Sequence, residues 1–246
     1  MPEISFPVDG GTGRGYLAVP PGGSAGPEDL GGAAETGPWP GVVVIHEAFG
    51  LNDDIRAKAD QFAAHGYLAL APDLFGGRSW IRCISGAIRQ LRARSGPAFT
   101  LLEAARGFLA AQADCTGKTG VIGFCLGGGF ALLCAPSGGF AAAAVKYGEV
   151  PRDAEGALQG ACPVVGSYGA RDPMGAKHPD RLERALTVLE IPHDVKVYPD
   201  TGHRFMTKAS GAAAVLARFA RMPYQESDAA DAWRRIFAFF GEHLGA

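Results

Sequence analysis

The feature that most constrains the fold is the stretch Val121-Ile122-Gly123-Phe124-Cys125-Leu126-Gly127-Gly128. It predicts a buried strand, a sharp turn with a thiol at its tip, and a helix that begins among glycines. This is the layout of the G-x-S-x-G nucleophile turn, with Cys125 at the serine position. The turn requires small residues two before and two after the nucleophile, and Gly123 and Gly127 meet that requirement. Free N–H groups at the helix N-terminus favour an anion there, so the stretch predicts a reactive thiolate.

A buried structural cysteine is the alternative interpretation of Cys125. Free cysteines often pack as small apolar residues, and glycine pairs are common in a chain with 36 glycines. The remaining cysteines lack the glycine setting and are expected to be structural: Cys83, Cys115, Cys134 and Cys162. The odd total of five and the absence of CxxC spacing argue against a disulfide framework and against a zinc site.

Length and composition limit the class of protein. A chain of 246 residues that is 47% hydrophobic can bury one large core, so we expect one domain over residues 1–246. The net charge of -2, with dispersed Lys and Arg, gives no basic stripe for nucleic acid. No secretory signal is recognisable at the N-terminus, and no apolar run reaches the ~18 residues of a membrane span. We expect a cytoplasmic protein without a membrane partner, either a monomer or a small homo-oligomer.

The order of predicted elements is that of an α/β protein. Residues 4–19 predict an antiparallel hairpin, and residues 20–40 a flexible surface loop. The β-branched run Val42–Ile45 is typical of a strand buried on both faces of a parallel sheet. A helix with Ile55 and Phe62 on one face follows, and then a strand at Tyr67–Ala71, which together predict a right-handed parallel crossover. Later strands at 141–147, 164–168 and 194–198 alternate with helices. We therefore expect a mostly parallel central sheet with helices on both faces.

The segment 78–97 has two interpretations. Isoleucine and leucine are interleaved there with a tryptophan and five arginines: Arg78, Trp80, Arg82, Arg89, Arg92 and Arg94. The simpler interpretation is an amphipathic surface helix with solvated arginines. The functional one is a lid that lines a pocket for an anionic substrate.

Three reactive side chains are predicted to meet at one edge of the sheet. Cys125, Asp172 and His203 each follow the C-terminal end of a predicted parallel strand, which is where open α/β sheets bind ligands. The chain order nucleophile, acid, histidine is that of α/β-hydrolases. In such a triad His203 takes the thiol proton, Asp172 orients the imidazole and Cys125 forms an acyl-enzyme.

The oxyanion of that reaction needs two hydrogen-bond donors. The backbone N–H groups of Leu126 and Ala48 occupy the positions that the fold supplies. This chemistry requires no metal and no other cofactor. His46 is a rival base, but it precedes the nucleophile in the chain, so we prefer His203.

These motifs together resemble the dienelactone hydrolase (carboxymethylenebutenolidase) family. The resemblance covers Val42 to Leu244 and includes Glu47-Ala48-Phe49-Gly50-Leu51-Asn52, Ala71-Pro72-Asp73-Leu74, Gly123 to Gly128, Tyr147-Gly148, Tyr168 to Pro173 and Gly202-His203. It implies an α/β-hydrolase fold, a Cys-His-Asp triad and hydrolysis of a small ester or lactone. It also implies that Glu47 hydrogen-bonds the resting thiol and helps to activate it when substrate enters.

This sequence differs from the family's pattern at the residues expected to bind substrate. Enzymes that cleave the anionic dienelactone are expected to hold its carboxylate with two arginines, and Arg78 could be the first. The second position, four residues after the histidine, holds Thr207. A different small ester or lactone is therefore a reasonable substrate. We expect a pocket near Glu47 lined by Arg78, Trp80, Tyr147 and Phe205.

Three alternative functions remain open from the sequence. A thioesterase or a peptidase could use the same triad. A redox sensor could use Cys125 without turnover, although no resolving cysteine is adjacent to it. A noncatalytic binding protein on a hydrolase scaffold is less consistent with three competent residues at the triad positions.

Overall fold

A central sheet organises the chain in a computed structural model that describes residues 3–22, 37–207 and 224–245. Within these residues the sheet has eight strands: β1 Glu3–Val8, β2 Gly11–Ala18, β3 Trp39–Ile45, β4 Leu68–Pro72, β5 Cys115–Phe124, β6 Ala142–Lys146, β7 Val164–Gly169 and β8 His193–Tyr198. Their order across the sheet is β1-β2-β4-β3-β5-β6-β7-β8. The pairings of β1 with β2 and of β2 with β4 are antiparallel. All later neighbours in this order, from β4 and β3 through to β8, are parallel. The expected hairpin and mostly parallel sheet are confirmed.

Helices are packed around the sheet. They are α1 Asp53–Ala63, α2 Trp80–Ala93, α3 Pro97–Ala110, α4 Leu126–Cys134, the short α5 Ala154–Ala157, α6 His178–Val188 and a C-terminal helix Glu226–Phe240. A 3-10 turn at Ala135–Ser137 follows α4, and a π-helical turn at Gly241–Gly245 follows the C-terminal helix. None of the helices in the described ranges combines the length and apolarity that a bilayer span demands.

The core follows from the apolar pattern of the central strands. Every residue of β3 is buried, as expected of a β-branched strand covered by helices on both faces. In α1 the side chain of Asn52 accepts a hydrogen bond from the Ile55 N–H (3.1 Å) and caps the helix, while Ile55 and Phe62 are buried beneath it. The predicted crossover from β3 through α1 to β4 is therefore formed.

Two predicted segments need comment. The loop expected over residues 20–40 falls largely on residues 23–36, which lie outside the described residues, and β3 already begins at Trp39. The segment 78–97 forms the regular helix α2 and the start of α3. Ile84, Ile88 and Leu91 of α2 line a cavity, and its arginines are exposed. The segment is thus an amphipathic surface helix whose apolar face forms a cavity wall.

Candidate active site

The C-terminal ends of five parallel strands lie side by side and bring the predicted residues together. In register, Ile45 of β3 pairs with Gly123, Phe124 with Lys146, and Gly169 of β7 with Tyr198 of β8. The loops after these strand ends carry Glu47, Cys125, Tyr147, Asp172 and His203. The sheet register therefore places all five at one edge, although 156 residues separate the first from the last.

The nucleophile turn has the strained geometry that its sequence predicts. Cys125 has φ 54° and ψ -115°, outside the usual regions for a residue with a side chain. A Cβ atom at Gly123 would overlap the carbonyl oxygen of Gly127, and one at Gly127 would overlap that of Ile45. The amide of Cys125 donates to the Lys146 carbonyl (3.0 Å), which ties the turn to β6. These contacts hold the thiol at the start of α4.

The loops after β7 and β8 are paired with each other. Backbone hydrogen bonds join Arg171 N to Thr201 O (2.9 Å) and Ala170 N to Tyr198 O (2.9 Å). The close approach depends on Gly169, where a Cβ atom would overlap the Thr201 carbonyl. The pairing brings Asp172 and His203, both buried, within reach of one another.

Asp172 fixes the proton on His203. The Asp172 Oδ2 atom lies 2.6 Å from His203 Nδ1, and Oδ1 accepts the Met174 N–H at 2.8 Å. Because a carboxylate only accepts, Nδ1 carries the proton and Nε2 is the basic nitrogen of neutral His203. Within the described structure, Nε2 has no partner of regular hydrogen-bond geometry. It is therefore free to exchange a proton with a nearby group.

The charges around His203 favour its protonated form. Burial alone would lower the pKa of His203, but the hydrogen bond to Asp172 and the adjacent Cys125 sulfur outweigh burial and raise the pKa to about 10. An imidazolium between a carboxylate and a sulfur is the charge state of a thiolate–imidazolium pair. The arrangement therefore places a buried, carboxylate-oriented imidazole beside the Cys125 sulfur.

Both carboxylate oxygens of Glu47 accept hydrogen bonds from neighbouring side chains. Its Oε1 accepts from Thr207 Oγ1 (2.7 Å) and Tyr147 OH (3.3 Å), and its Oε2 accepts from Arg204 Nε (2.7 Å) and Nη2 (2.6 Å). The guanidinium of Arg204 also lies over the Phe49 ring at 4.8 Å. Four donors thus occupy the carboxylate, and the expected contact of Glu47 with the resting Cys125 stays a prediction.

The rival base His46 has both ring nitrogens engaged. The Leu74 N–H donates to Nε2 (3.2 Å), so Nδ1 carries the proton and donates to the Glu47 carbonyl (2.6 Å). Burial lowers the pKa of His46, which favours this neutral form. His46 therefore holds the loop after β3 in place, and the preference for His203 as the base agrees with the geometry.

A cavity of about 480 Å³ opens beside the thiol. Its walls include Cys125, Asp172, His203, Tyr147 and the proposed oxyanion residues Ala48 and Leu126. The N–H of Leu126 is the first of α4 and has no intrahelical acceptor. The apolar part of the wall comes from α2 and α4 and from the loop after β7: Ile84, Ile88, Leu91, Leu126 and Met174. Arg92, Glu149, Gly175 and His178 complete it.

Three residues expected in the pocket are not part of the cavity wall. Arg78 is exposed and donates from Nε to the Phe75 carbonyl (3.1 Å). Trp80 begins α2 and packs against Phe49 (5.1 Å between ring centroids). Phe205 is fully buried against Tyr147 and Tyr198. The face of α2 that lines the cavity begins at Ile84, one turn after Trp80. Of the four expected substrate contacts, Tyr147 alone is in the wall.

Sequence reasoning missed two groups at the site. Arg204 directly follows His203 in the chain, but no local pattern signals its pairing with Glu47. His178, at the start of α6, had no local signal because its position depends on how the loop after β7 folds back. All five cysteines are free thiols in this structure.

The fold defines the class of this protein: it is an α/β-hydrolase. The model of the dienelactone hydrolase family matches residues 30–244, so the chain belongs to that family and is a hydrolase of that kind.

Known relatives support the assignment over nearly the full length. A Yersinia pestis protein provisionally named a carboxymethylenebutenolidase is 27% identical, over 98% of this chain and 88% of its own. A solved structure of a provisionally named dienelactone hydrolase from Klebsiella pneumoniae is 25% identical, with a TM-score of 0.75, and the match covers 98% of this chain and 97% of that one. A dienelactone hydrolase-like promiscuous phosphotriesterase from metagenomic libraries shares the fold, with a TM-score of 0.79 at 24% identity, over 98% of this chain and 97% of its own.

Proposed function

We propose that this protein hydrolyses a small, uncharged ester or lactone through a thioacyl-enzyme on Cys125, with His203 as acid and base and Asp172 as the residue that orients it. The observation that carries the proposal is the contact of 2.6 Å between His203 Nδ1 and Asp172 Oδ2, next to the strained thiol in one cavity. This arrangement leaves Nε2 as the proton-exchanging atom beside the sulfur.

The reaction follows from these positions. The Cys125 thiolate attacks the carbonyl carbon, and the N–H groups of Leu126 and Ala48 stabilise the oxyanion. As the tetrahedral intermediate collapses, the C–O bond breaks and the alkoxide takes a proton from His203 Nε2. His203 then accepts a proton from water, and the hydroxide attacks the thioester. Release of the carboxylic acid restores the thiolate–imidazolium pair, so protons and atoms balance over the cycle.

The cavity supports an uncharged substrate. Its volume is at the small end of small-molecule sites, and the part of its wall that α2 contributes is aliphatic apart from Arg92. Arg92 is the single arginine of the cavity wall in the described residues, and Glu149 adds a negative charge to the same wall. Arg78 is outside the wall, and Thr207 donates to Glu47 instead of facing a substrate carboxylate. The family names of the relatives refer to an anionic lactone, and these features favour a neutral one here.

Steady-state hydrolysis tests the proposal. We expect wild-type protein to cleave p-nitrophenyl butyrate and a neutral γ-lactone faster than a lactone that carries a carboxylate. Cys125→Ala should reduce kcat/KM by at least about a thousandfold, because the nucleophile acts as a unit with its base. Cys115→Ala is the matched control, since Cys115 is the first residue of β5, the strand whose other end leads into Cys125. Equal activity of Cys125→Ala and Cys115→Ala would refute the nucleophile assignment.

A further inference from the structure

A second histidine faces the same cavity and has no role in the proposed reaction. His178 is the first residue of α6, half-buried, and its ring forms part of the wall that also contains Asp172. A Cβ atom built on Gly175 would lie 3.1 Å from both Asp172 Oδ2 and His178 Cδ2. Gly175 therefore lies between the carboxylate of Asp172 and the imidazole of His178, where a side chain would be crowded by both.

The position of the proton on His178 is fixed by the backbone. The Val150 N–H donates to His178 Nδ1 at 3.3 Å. Since an amide N–H only donates, Nδ1 must carry the lone pair, and neutral His178 holds its proton on Nε2. The tautomer is thus set by a group that does not titrate.

The surroundings keep His178 neutral. Burial lowers its pKa, and the positive charges of Arg181 and His203 lower it further against the opposing effect of Glu149 and Asp172. His178 is therefore a neutral N–H donor near physiological pH, and it does not compete with His203 as a base.

The Nε2–H of His178 has no acceptor among the residues that the structure describes. Within the described ranges, the hydrogen bond at Nδ1 is the one this ring makes. His178 is half-buried and lines the cavity. A fixed donor that borders a largely aliphatic cavity is typical of a group that orients a ligand.

We propose that His178 is a specificity-determining residue that donates from Nε2–H to a second oxygen atom of the substrate, apart from the scissile ester group. The preferred substrates are then neutral esters or lactones with an additional carbonyl, ether or hydroxyl oxygen. A neutral acceptor fits better than a carboxylate because Glu149 shares the wall with His178. This inference rests on the proposed function and names the substrate class of that site.

Matched esters test the inference. The first pair is p-nitrophenyl methoxyacetate and p-nitrophenyl butyrate, in which an ether oxygen replaces a methylene. The second pair is p-nitrophenyl 4-oxopentanoate and p-nitrophenyl pentanoate. For each pair, kcat/KM of the ester with the extra oxygen is divided by kcat/KM of its hydrocarbon partner. This ratio is compared between wild type, His178→Phe and His178→Gln, so that the intrinsic reactivity of the esters cancels. Both variants lose the bond from Val150, but glutamine keeps a donor near the position of Nε2.

We expect the ratio in at least one pair to fall about three- to tenfold in His178→Phe, mainly through KM, and to recover in His178→Gln. His193→Phe, at the start of β8, is the control for a histidine away from the cavity and should keep the wild-type ratio. Nitrogen-15 NMR of the histidine rings should show His178 protonated at Nε2 in the free protein.

Two results would overturn the inference: unchanged ratios in His178→Phe for both pairs, or a His178 ring protonated at Nδ1. Failure of the proposed function is recognised separately. If Cys125→Ala cleaved the esters at wild-type rates, the acyl-enzyme mechanism would be wrong whatever the ratios showed.

Discussion

The ion pair between Arg204 and Glu47 should contribute far more to stability than a surface pair of the same length. The Glu47 side chain is 2% exposed and that of Arg204 is 23% exposed, with Nη2 and Oε2 2.6 Å apart. Replacing Arg204 with methionine keeps the aliphatic contact with Phe49 but leaves a buried carboxylate with two neutral donors. Methionine also keeps a Cβ atom, so the left-handed backbone at φ 62° is strained equally in both proteins.

Burial sets the size of the expected effect. Breaking a buried pair by removal of one partner costs about 3–5 kcal/mol. Because Arg204 retains some exposure, we take the lower end, about 3 kcal/mol, which corresponds to a fall in Tm of about 6–12 °C for a chain of this size. Arg171→Met is the matched control. Its pair with Asp200 is equally short at 2.5 Å, but the side chains are 64% and 71% exposed, so its loss should cost about 0–1 kcal/mol.

Thermal and urea unfolding of the two variants provide the assay. A second change, Glu47→Gln in the Arg204→Met background, should recover part of the lost stability because it removes the unpaired charge. Equal losses in Arg204→Met and Arg171→Met would refute the reasoning that burial decides the strength of the pair. A further loss on adding Glu47→Gln would contradict the assignment of the cost to an uncompensated carboxylate.

Three further predictions concern stability. Gly123→Ala should cost more than about 3 kcal/mol in urea unfolding because its Cβ overlaps the Gly127 carbonyl, whereas Gly107→Ala, in open space within α3, should be neutral or stabilising. The raised pKa of His203, about 10, means that its stabilisation is complete below pH ~6.5 and lost as pH rises towards 10. The difference in unfolding free energy between wild type and His203→Gln should therefore shrink over that window, and a constant difference would contradict the prediction. Burial, with Arg235 nearby, lowers the pKa of Lys146, so its charged form is penalised in the fold. Lys146→Met should then raise the unfolding free energy at pH 7 by on the order of 1 kcal/mol, with a gain that declines towards pH 10.5, and a loss would refute it.

The sequence predicts that Cys125, Asp172 and His203 lie at one edge of the sheet, and the structure places them there, because each position follows a strand end. The strands before Cys125 and Asp172 end in buried, mostly apolar segments, and the strand before His203 alternates polar and apolar residues. Parallel strands place their carboxyl ends at one edge. The close packing at Gly123 and Gly127 is also a local requirement that a pattern can state. These features need no knowledge of side-chain contacts between distant loops.

The substrate wall could not be predicted in the same way. Arg78 and Trp80 lie near the right motif, but the turn before α2 directs them to the surface, and the cavity-facing residues begin one helical turn later. The pairing of Glu47 with Arg204 spans 157 positions and depends on a non-glycine residue with positive φ. Periodicity and spacing contain no signal for either arrangement.

The central claim is tested most directly by trapping the acyl-enzyme. Wild-type protein is mixed with p-nitrophenyl butyrate, quenched in acid within milliseconds and digested for mass spectrometry, with Cys125→Ala as the control. The account predicts a butyryl group on the peptide that contains Cys125, formed as fast as the burst of p-nitrophenol and absent from the control. Turnover without an adduct on Cys125, or an adduct on another cysteine that forms at the burst rate, would contradict it.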